Sequence, residues 1–253
     1  MTKEAVIEKI DYSKEKIFLN NICENYHLDD EPQTKVMRKL IIRTFAPYIN
    51  GGVALELGCS DGYMTEELAS RVEQLDVVDA SKSFINQAKR RALPNVKIYE
   101  SLFEEYQESI KYDYVFASFI LEHVLEVQPI LQMVHRLLKP GGKFFVVVPN
   151  ARALSRQLAY HMNLFPNLTS LTENDIRYGH RRVYDRVHLN RDLEKAGFKN
   201  IAQGGIMLKI LADFQLDELI GEEFLQDEHI DGLYRLGLEY PDLCGALFSI
   251  CEL

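Results

Sequence analysis

The chain has 253 residues, of which 47% are hydrophobic and 26% charged, with a formal charge of -9. That length suits one large α/β domain with a cap or lid, or at most two small domains, and the composition is that of a globular chain with a sizeable core. The acidic balance opposes non-specific attraction to nucleic acid or anionic membrane, and no run approaches the ~20 apolar residues of a spanning helix, so a small-molecule substrate is expected.

In chain order, Tyr12, Phe18, Ile22 and Tyr26 are scattered apolar anchors in a charged opening that reads as a helical cap. From Thr34, the apolar positions Val36, Met37, Leu40, Ile41 and Phe45 recur at helical spacing, and Pro47 with Asn50-Gly51-Gly52 ends that helix. Val53 to Leu57 is then an apolar run, long enough for a buried strand, followed by the turn Gly58-Cys59-Ser60-Asp61-Gly62. Such strand-to-helix turns bind phosphate through free amides, and a nearby carboxylate opposes that. With Glu56 before the turn and Asp61 inside it, a cationic ligand such as S-adenosylmethionine is expected rather than a pyrophosphate.

Met64, Leu68 and Val72 mark the next helix, and Leu75 to Asp79 a second short strand. Asp79 ends that strand, where a carboxylate can accept hydrogen bonds from ribose hydroxyls on the first turn, or simply cap the helix that begins near Ser81. A helix over 82–92, a strand over Val96–Tyr99 and another over Tyr112–Ser118 continue the alternation, pointing to a parallel sheet with helices on both faces. A helix over Pro129–Leu138, the turn Lys139-Pro140-Gly141-Gly142 and a buried strand over Lys143–Val148 complete it.

The turn at 58–62 resembles the first cofactor motif of the class I S-adenosylmethionine-dependent methyltransferases, keeping Glu56, Gly58 and Gly62 but with Ser60 where the middle glycine of that motif normally sits. Leu138-Lys139-Pro140-Gly141-Gly142 followed by an apolar strand resembles a second signature of the same family. Leu121-Glu122-His123 resembles the tripeptide of its ubiquinone-biosynthesis-like and sugar-modifying branches. The resemblance covers about 50–150 well and 178–200 loosely. It implies a doubly wound, mostly parallel seven-stranded sheet of Rossmann-like type, closed by an antiparallel pair, with helical cap and lid insertions. It also implies S-adenosylmethionine as cofactor: methionine contacts on Glu56, Gly58, Cys59, Ser60 and Gly62, ribose on Asp79 beside Ala80, and adenine near Ser101, Leu102 and Phe103. Ser118 and His123 should border both cofactor and acceptor.

The organisation expected is a single methyltransferase domain over 1–253. It divides into a cap over 1–50, the cofactor core over 51–150, insertions over 151–177 and 211–243, and closing elements over 178–210 and 244–253. The first insertion reads as part of the acceptor pocket, with Arg152 opening its helix; the second is either a lid or a dimer surface, so the chain is expected to be a monomer or a homodimer. Gly204-Gly205 suggests a bulge in an edge-side strand. Arg181 and Arg182 stand in a local positive cluster, which reads either as a holder for an anionic acceptor, such as an activated cell-surface sugar precursor, or as a loop paired with surface acids. His123 is either a base or a packing residue; the resemblance also implies acceptor-pocket roles for His180, the other candidate base, and for Tyr184, which would place the acceptor, since both stand just ahead of a helix ending in Ala196-Gly197-Phe198. Direct displacement of a methyl group requires no metal. A nicotinamide-dependent oxidoreductase would need a third glycine in register and no acid in the turn, and a silent cofactor-binding scaffold is the remaining alternative. Met1 to Ala5 lack a signal-peptide core, and Cys23, Cys59, Cys244 and Cys251 show neither metal spacing nor disulfide density, so buried free thiols and a cytoplasmic location are expected.

Overall fold

A computed structural model describes residues 12–26 and 31–253; the parts of the expected cap at 1–11 and 27–30 lie outside them. One seven-stranded sheet organises the chain, in the order β3-β2-β1-β4-β5-β7-β6. Its strands are β1 (Val53–Leu57), β2 (Gln74–Asp79), β3 (Val96–Glu100), β4 (Tyr112–Ser118), β5 (Leu138–Pro149), β6 (Lys199–Leu208) and β7 (Cys244–Glu252). The first five pair in parallel, and β7 runs antiparallel between β5 and β6, as the closing pair was expected to do. The order reverses between β1 and β4, so a crevice opens at their carboxyl ends, where open parallel sheets bind ligands.

Helices cover both faces. They are α1 (Tyr12–Ile22), α2 (Pro32–Phe45), α3 (Tyr63–Ala69), α4 (Lys82–Lys89), α5 (Val127–Leu137), α6 (Leu154–His161), α7 (Glu173–Arg177), α8 (Arg186–Lys195), α9 (Asp213–Gly221) and α10 (Asp227–Glu239). Met37, Ile41 and Phe45 of α2 pack with Phe116 and Phe145 on one face, and Phe116 stacks on Phe145 with ring centroids 4.7 Å apart. Ile130, Leu131 and Val134 of α5 pack with Leu189 and Leu193 of α8 against Val115, Phe144 and Val146 on the other. Each such fully buried side chain contributes roughly 1.5–3 kcal/mol. All four cysteines are free and buried. No helix among the described residues is long and apolar enough to cross a membrane.

Two expectations need correction. The irregularity in β6 lies between Asn200 and Ala202, not at the glycine pair. Gly204 and Gly205 are there for close approach: a Cβ on Gly205 would lie 2.1 Å from the Pro241 carbonyl, and one on Gly204 2.6 Å from the Phe248 ring. The insertion over 211–243 does not form a lid along α10. Ile230 and Tyr234 of α10, with Leu216 of α9, are buried in the same cluster as α2, so these helices extend the layer on that face of the sheet.

Candidate active site

The turn after β1 is held by backbone geometry. Gly58 and Gly62 take φ of 76° and 82°, and Ser60, at φ 48°, adopts the left-handed conformation that glycine usually supplies. A Cβ on Gly62 would come 2.8 Å from the Ala88 backbone, so this residue lets α4 approach the turn. Gly58 N–H donates to the Val78 carbonyl (2.8 Å), and Cys59 N–H donates to Asp79 Oδ2 (2.9 Å). Ser81 N–H donates to Asp79 Oδ1 (2.8 Å). Asp79 is only 7% exposed, and burial raises its carboxyl against the lowering effect of these amides. Asp79 therefore ties the β1 turn to the β2 turn, and it retains lone pairs for further donors. Ala80 lies between Asp79 and the Ser81 cap of α4.

The acids at the turn carry less free charge than the sequence suggests. Glu56 is 4% exposed, accepts a hydrogen bond from Thr65 Oγ1 (2.6 Å), and is pushed up to about 8 by burial. Asp61 is paired with Arg38 of α2 at 2.9 and 3.0 Å. The selectivity of the turn for a cation thus cannot rest on two bare carboxylates; the ionisation of one is suppressed and the other is neutralised. Cys59 is buried beside Asp79, and burial pushes its thiol up, so it packs as a small apolar group. After β3, Ser101 N–H donates to the Asp79 carbonyl (3.0 Å) and its hydroxyl to the Leu102 carbonyl (2.8 Å). Leu102 is buried, and Phe103 packs, partly buried, against the core cluster of Leu55, Leu57 and Val78.

Beyond β4 the site changes character. Among the described residues, the hydroxyl of Ser118 and both carboxylate oxygens of Glu122 are buried without a hydrogen-bond partner, as is the hydroxyl of Ser60 on the β1 turn. Glu122 is 0% exposed, and burial pushes it up to about 7. The His123 and His180 rings meet edge-on with centroids 4.7 Å apart. Ligand atoms of Glu122, His123 and His180 all lie within 4.8 Å of one another. His123 is pushed down to about 3, by burial first and by its neighbours His180, Arg181 and Arg182 second. His180 Nδ1 lies 3.0 Å from Asp175 Oδ1. Asp175 is fixed in turn by the Thr172 capping box at the start of α7 and by Arg156 of α6 at 3.1 Å. Burial opposes its ionisation, but the bonds from His180 and Thr172 hold its carboxyl well below the usual range.

The two candidate bases are thus brought together, and the expected anion holders are not. Arg181 Nε donates to the His123 carbonyl (2.7 Å) and its NH2 to both oxygens of Glu15 on α1 (3.0 and 2.8 Å). Arg182 donates to the carbonyls of Leu121 and Val124 (2.6 Å each) and Leu125 (2.8 Å). Both guanidiniums hold the loop after β4 in place, because its last carbonyls have no strand or helix partner of their own. Arg152 is exposed at the approach to α6. Tyr184 is also displaced from its expected role: it is 2% exposed, its ring lies in the core and its hydroxyl reaches Asp192 (3.4 Å). Tyr26 is the residue missed. Its hydroxyl donates to the Tyr178 carbonyl (3.1 Å), its ring meets Tyr178 and Phe84 edge-on, and it feels the charges of both Glu122 and Asp79.

Residues 29–203 match a methyltransferase-domain family. The chain belongs to the class I S-adenosylmethionine-dependent methyltransferases. This methyltransferase is 27% identical over 204 residues to the ubiquinone biosynthesis O-methyltransferase of Idiomarina loihiensis, a match covering 76% of each chain. It is 34% identical over 114 residues to the mitochondrial ubiquinone biosynthesis O-methyltransferase of Homo sapiens, covering 41% of this chain and 30% of that one. Its fold is similar to that of the N-methyltransferase NodS from Bradyrhizobium japonicum, solved with S-adenosyl-L-homocysteine. The TM-score is 0.58 at 13% identity, over 90% of both chains. The methyltransferase uses S-adenosylmethionine as its cofactor, and the crevice fits such a group: the buried Ser60 and Ser118 hydroxyls have no partner among the described residues, and Gly58 lets the Ile120 side chain close against the turn where a Cβ would collide with it.

Proposed function

We propose that the enzyme methylates a hydroxyl oxygen on a small acceptor. Bound S-adenosylmethionine supplies the methyl carbon, which passes to the acceptor oxygen as the bond to sulfur breaks. In this reading Glu56, the turn from Gly58 to Gly62 and Ser118 line the methionine side, Asp79 and Ala80 the ribose, and Ser101 to Phe103 the adenine. The observation that carries the acceptor assignment is the cluster of Glu122, His123 and His180 beyond β4, whose buried carboxylate oxygens have no partner among the described residues. With Nδ1 turned to Asp175, His180 presents Nε2 to the cluster, where it or Glu122 can accept the hydroxyl proton. His123, neutral at working pH, narrows the site. Holding the two reactants in line is the larger part of the task, worth roughly 7–11 kcal/mol of barrier in well-oriented cases.

Oxygen rather than nitrogen is favoured because the bacterial and human relatives are named as O-methyltransferases. The engaged state of Arg181 and Arg182 removes the reason to require an anion. We further infer one domain, working in the cytoplasm on a small molecule as a monomer or homodimer. The test is methyl transfer from isotopically labelled S-adenosylmethionine to a panel of aromatic diols, phosphorylated sugars and primary amines, read by mass spectrometry. Label on a diol oxygen is expected; label on amines alone would overturn the reading.

A further inference from the structure

The methyl donor carries a positive sulfur, yet the acids of the turn after β1 have little charge left to meet it. Glu56 is pushed up to about 8 by burial and bonded to Thr65, and Asp61 is paired with Arg38. Glu122 has no partner among the described residues, but it stands with His123 and His180 on the acceptor side. An aromatic face can hold a cation without any net charge of its own. Tyr26 supplies such a ring in the right place.

Tyr26 reaches both walls of the crevice. On the cofactor side its ring meets Phe84 edge-on, with centroids 5.5 Å apart. Phe84 lies in the first turn of α4, whose capping residue Ser81 donates its amide to Asp79. On the acceptor side the ring meets Tyr178 at 4.9 Å, and the hydroxyl donates to the Tyr178 carbonyl (3.1 Å), two residues before His180. The chain just ahead of it is pinned to the same segment. Asn25 Nδ2 donates to the Arg177 carbonyl (2.8 Å), and Ile22 fills the place where a Cβ on Gly179 would stand. Burial raises the Tyr26 phenol, and Glu122, Tyr178, Glu31 and Asp79 raise it further, so the ring stays neutral and lies within reach of both the ribose acid and the acceptor acid.

In S-adenosylmethionine the sulfur joins the ribose to the methyl group that must point at the acceptor. A side chain spanning from the helix beside Asp79 to the loop of His180 therefore lies at that sulfur. We propose that the Tyr26 ring packs on the sulfonium and its methyl group, recognising the donor by its charge and aiming it at the acceptor cluster. A ring suits this task better than a carboxylate. As the methyl leaves, sulfur keeps the bonding pair and becomes neutral, so a strong ionic contact would hold the reactant more firmly than the transition state. The weaker attraction of a ring ends with transfer and lets the neutral product go. The inference rests on the placement of the ribose at Asp79 and of the acceptor at Glu122.

The experiment measures the affinity of the full chain for S-adenosylmethionine and S-adenosylhomocysteine by calorimetry, because the two ligands differ only in the charged methyl. Tyr26→Leu should lose about 2–30-fold in affinity for S-adenosylmethionine beyond any loss for S-adenosylhomocysteine, whereas Tyr26→Phe, which keeps the ring, should keep the wild-type ratio. Equal losses for the two ligands, or no loss, overturn the inference, since a strut that merely holds Tyr178 does not sense charge. Asp79→Ala should weaken both ligands alike; a variant that binds both as the wild type does overturns the ribose placement, and the inference with it. Should Tyr26→Leu bind neither ligand, NMR of the wild type with donor labelled by carbon-13 in the methyl decides. An upfield-shifted methyl signal, with an Overhauser contact to ring protons that Tyr26→Phe alters, supports the contact. A methyl signal at its free position, or a contact that Tyr26→Phe leaves unchanged, overturns it.

Discussion

The two sides of the crevice are built by opposite means. On the β1–β2 side, Asp79 accepts amide hydrogens from Cys59 and Ser81, so two turns are tied together largely by main-chain donors within 25 residues of one another. On the β4 side, the loop from Leu121 to Leu125 is held from outside by Arg181 and Arg182, about sixty residues further on, and the groups it presents are left unsatisfied. Main-chain construction preserves the turn through many side-chain changes, whereas a loop held by distant guanidiniums depends on a few particular residues.

The sharpest way to break this contrast is Arg182→Ala. Three carbonyls lose their donor, and each unmet acceptor costs roughly 1–3 kcal/mol when buried. A loss of about 2–4 kcal/mol in denaturant unfolding is expected, with methyl transfer falling further than stability; an unchanged midpoint would show that the loop holds itself. Asp79→Ala probes the other side. Removing a charged acceptor, worth roughly 1.5–3 kcal/mol, should weaken S-adenosylhomocysteine binding by about 10–100-fold in calorimetry, with the fold retained.

Smaller in effect is the pH dependence at Asp175. Its folded carboxyl lies below the ordinary value of about 3.9, so the stability it contributes is fully present above that value and is lost as pH falls through and below it. Asp175→Asn should lower stability near neutrality by about 1–2 kcal/mol and flatten the acid limb of the unfolding curve. An acid limb unchanged from wild type would place the protonation elsewhere. The mildest test is Ser60→Gly. Relief of a left-handed serine should add about 1 kcal/mol to thermal stability, partly offset by the greater freedom of glycine in the unfolded chain. A fall in stability would mean that the serine hydroxyl makes a bond of its own.

The contrast also explains what could be read from the chain. Glu56, the glycines and Asp79 lie in one strand-helix-strand unit, so local spacing places them on one crevice. The two histidines were visible as candidates, but their meeting depends on how the 178–182 loop returns over β4, which no periodicity encodes. Arg181 and Arg182 illustrate the difficulty best: the same cluster of charges serves an anionic substrate or a set of orphan carbonyls, and only the tertiary path selects. Tyr184 was misplaced for a similar reason, since its ring turns inward into the core beneath α8. Tyr26 gave no signal beyond an isolated aromatic in a charged stretch.

One feature of the sheet bears on how the chain is made. β7 lies between β5 and β6, so Phe144 to Pro149 have no partner on that side until Cys244 to Glu252 emerge from the ribosome. For nearly a hundred residues of synthesis, a highly apolar strand edge waits for its neighbour, open to pairing with another nascent chain. Disrupting β7 would prolong that exposure, and the harm would appear first as a poor yield of folded protein, with the catalytic residues untouched.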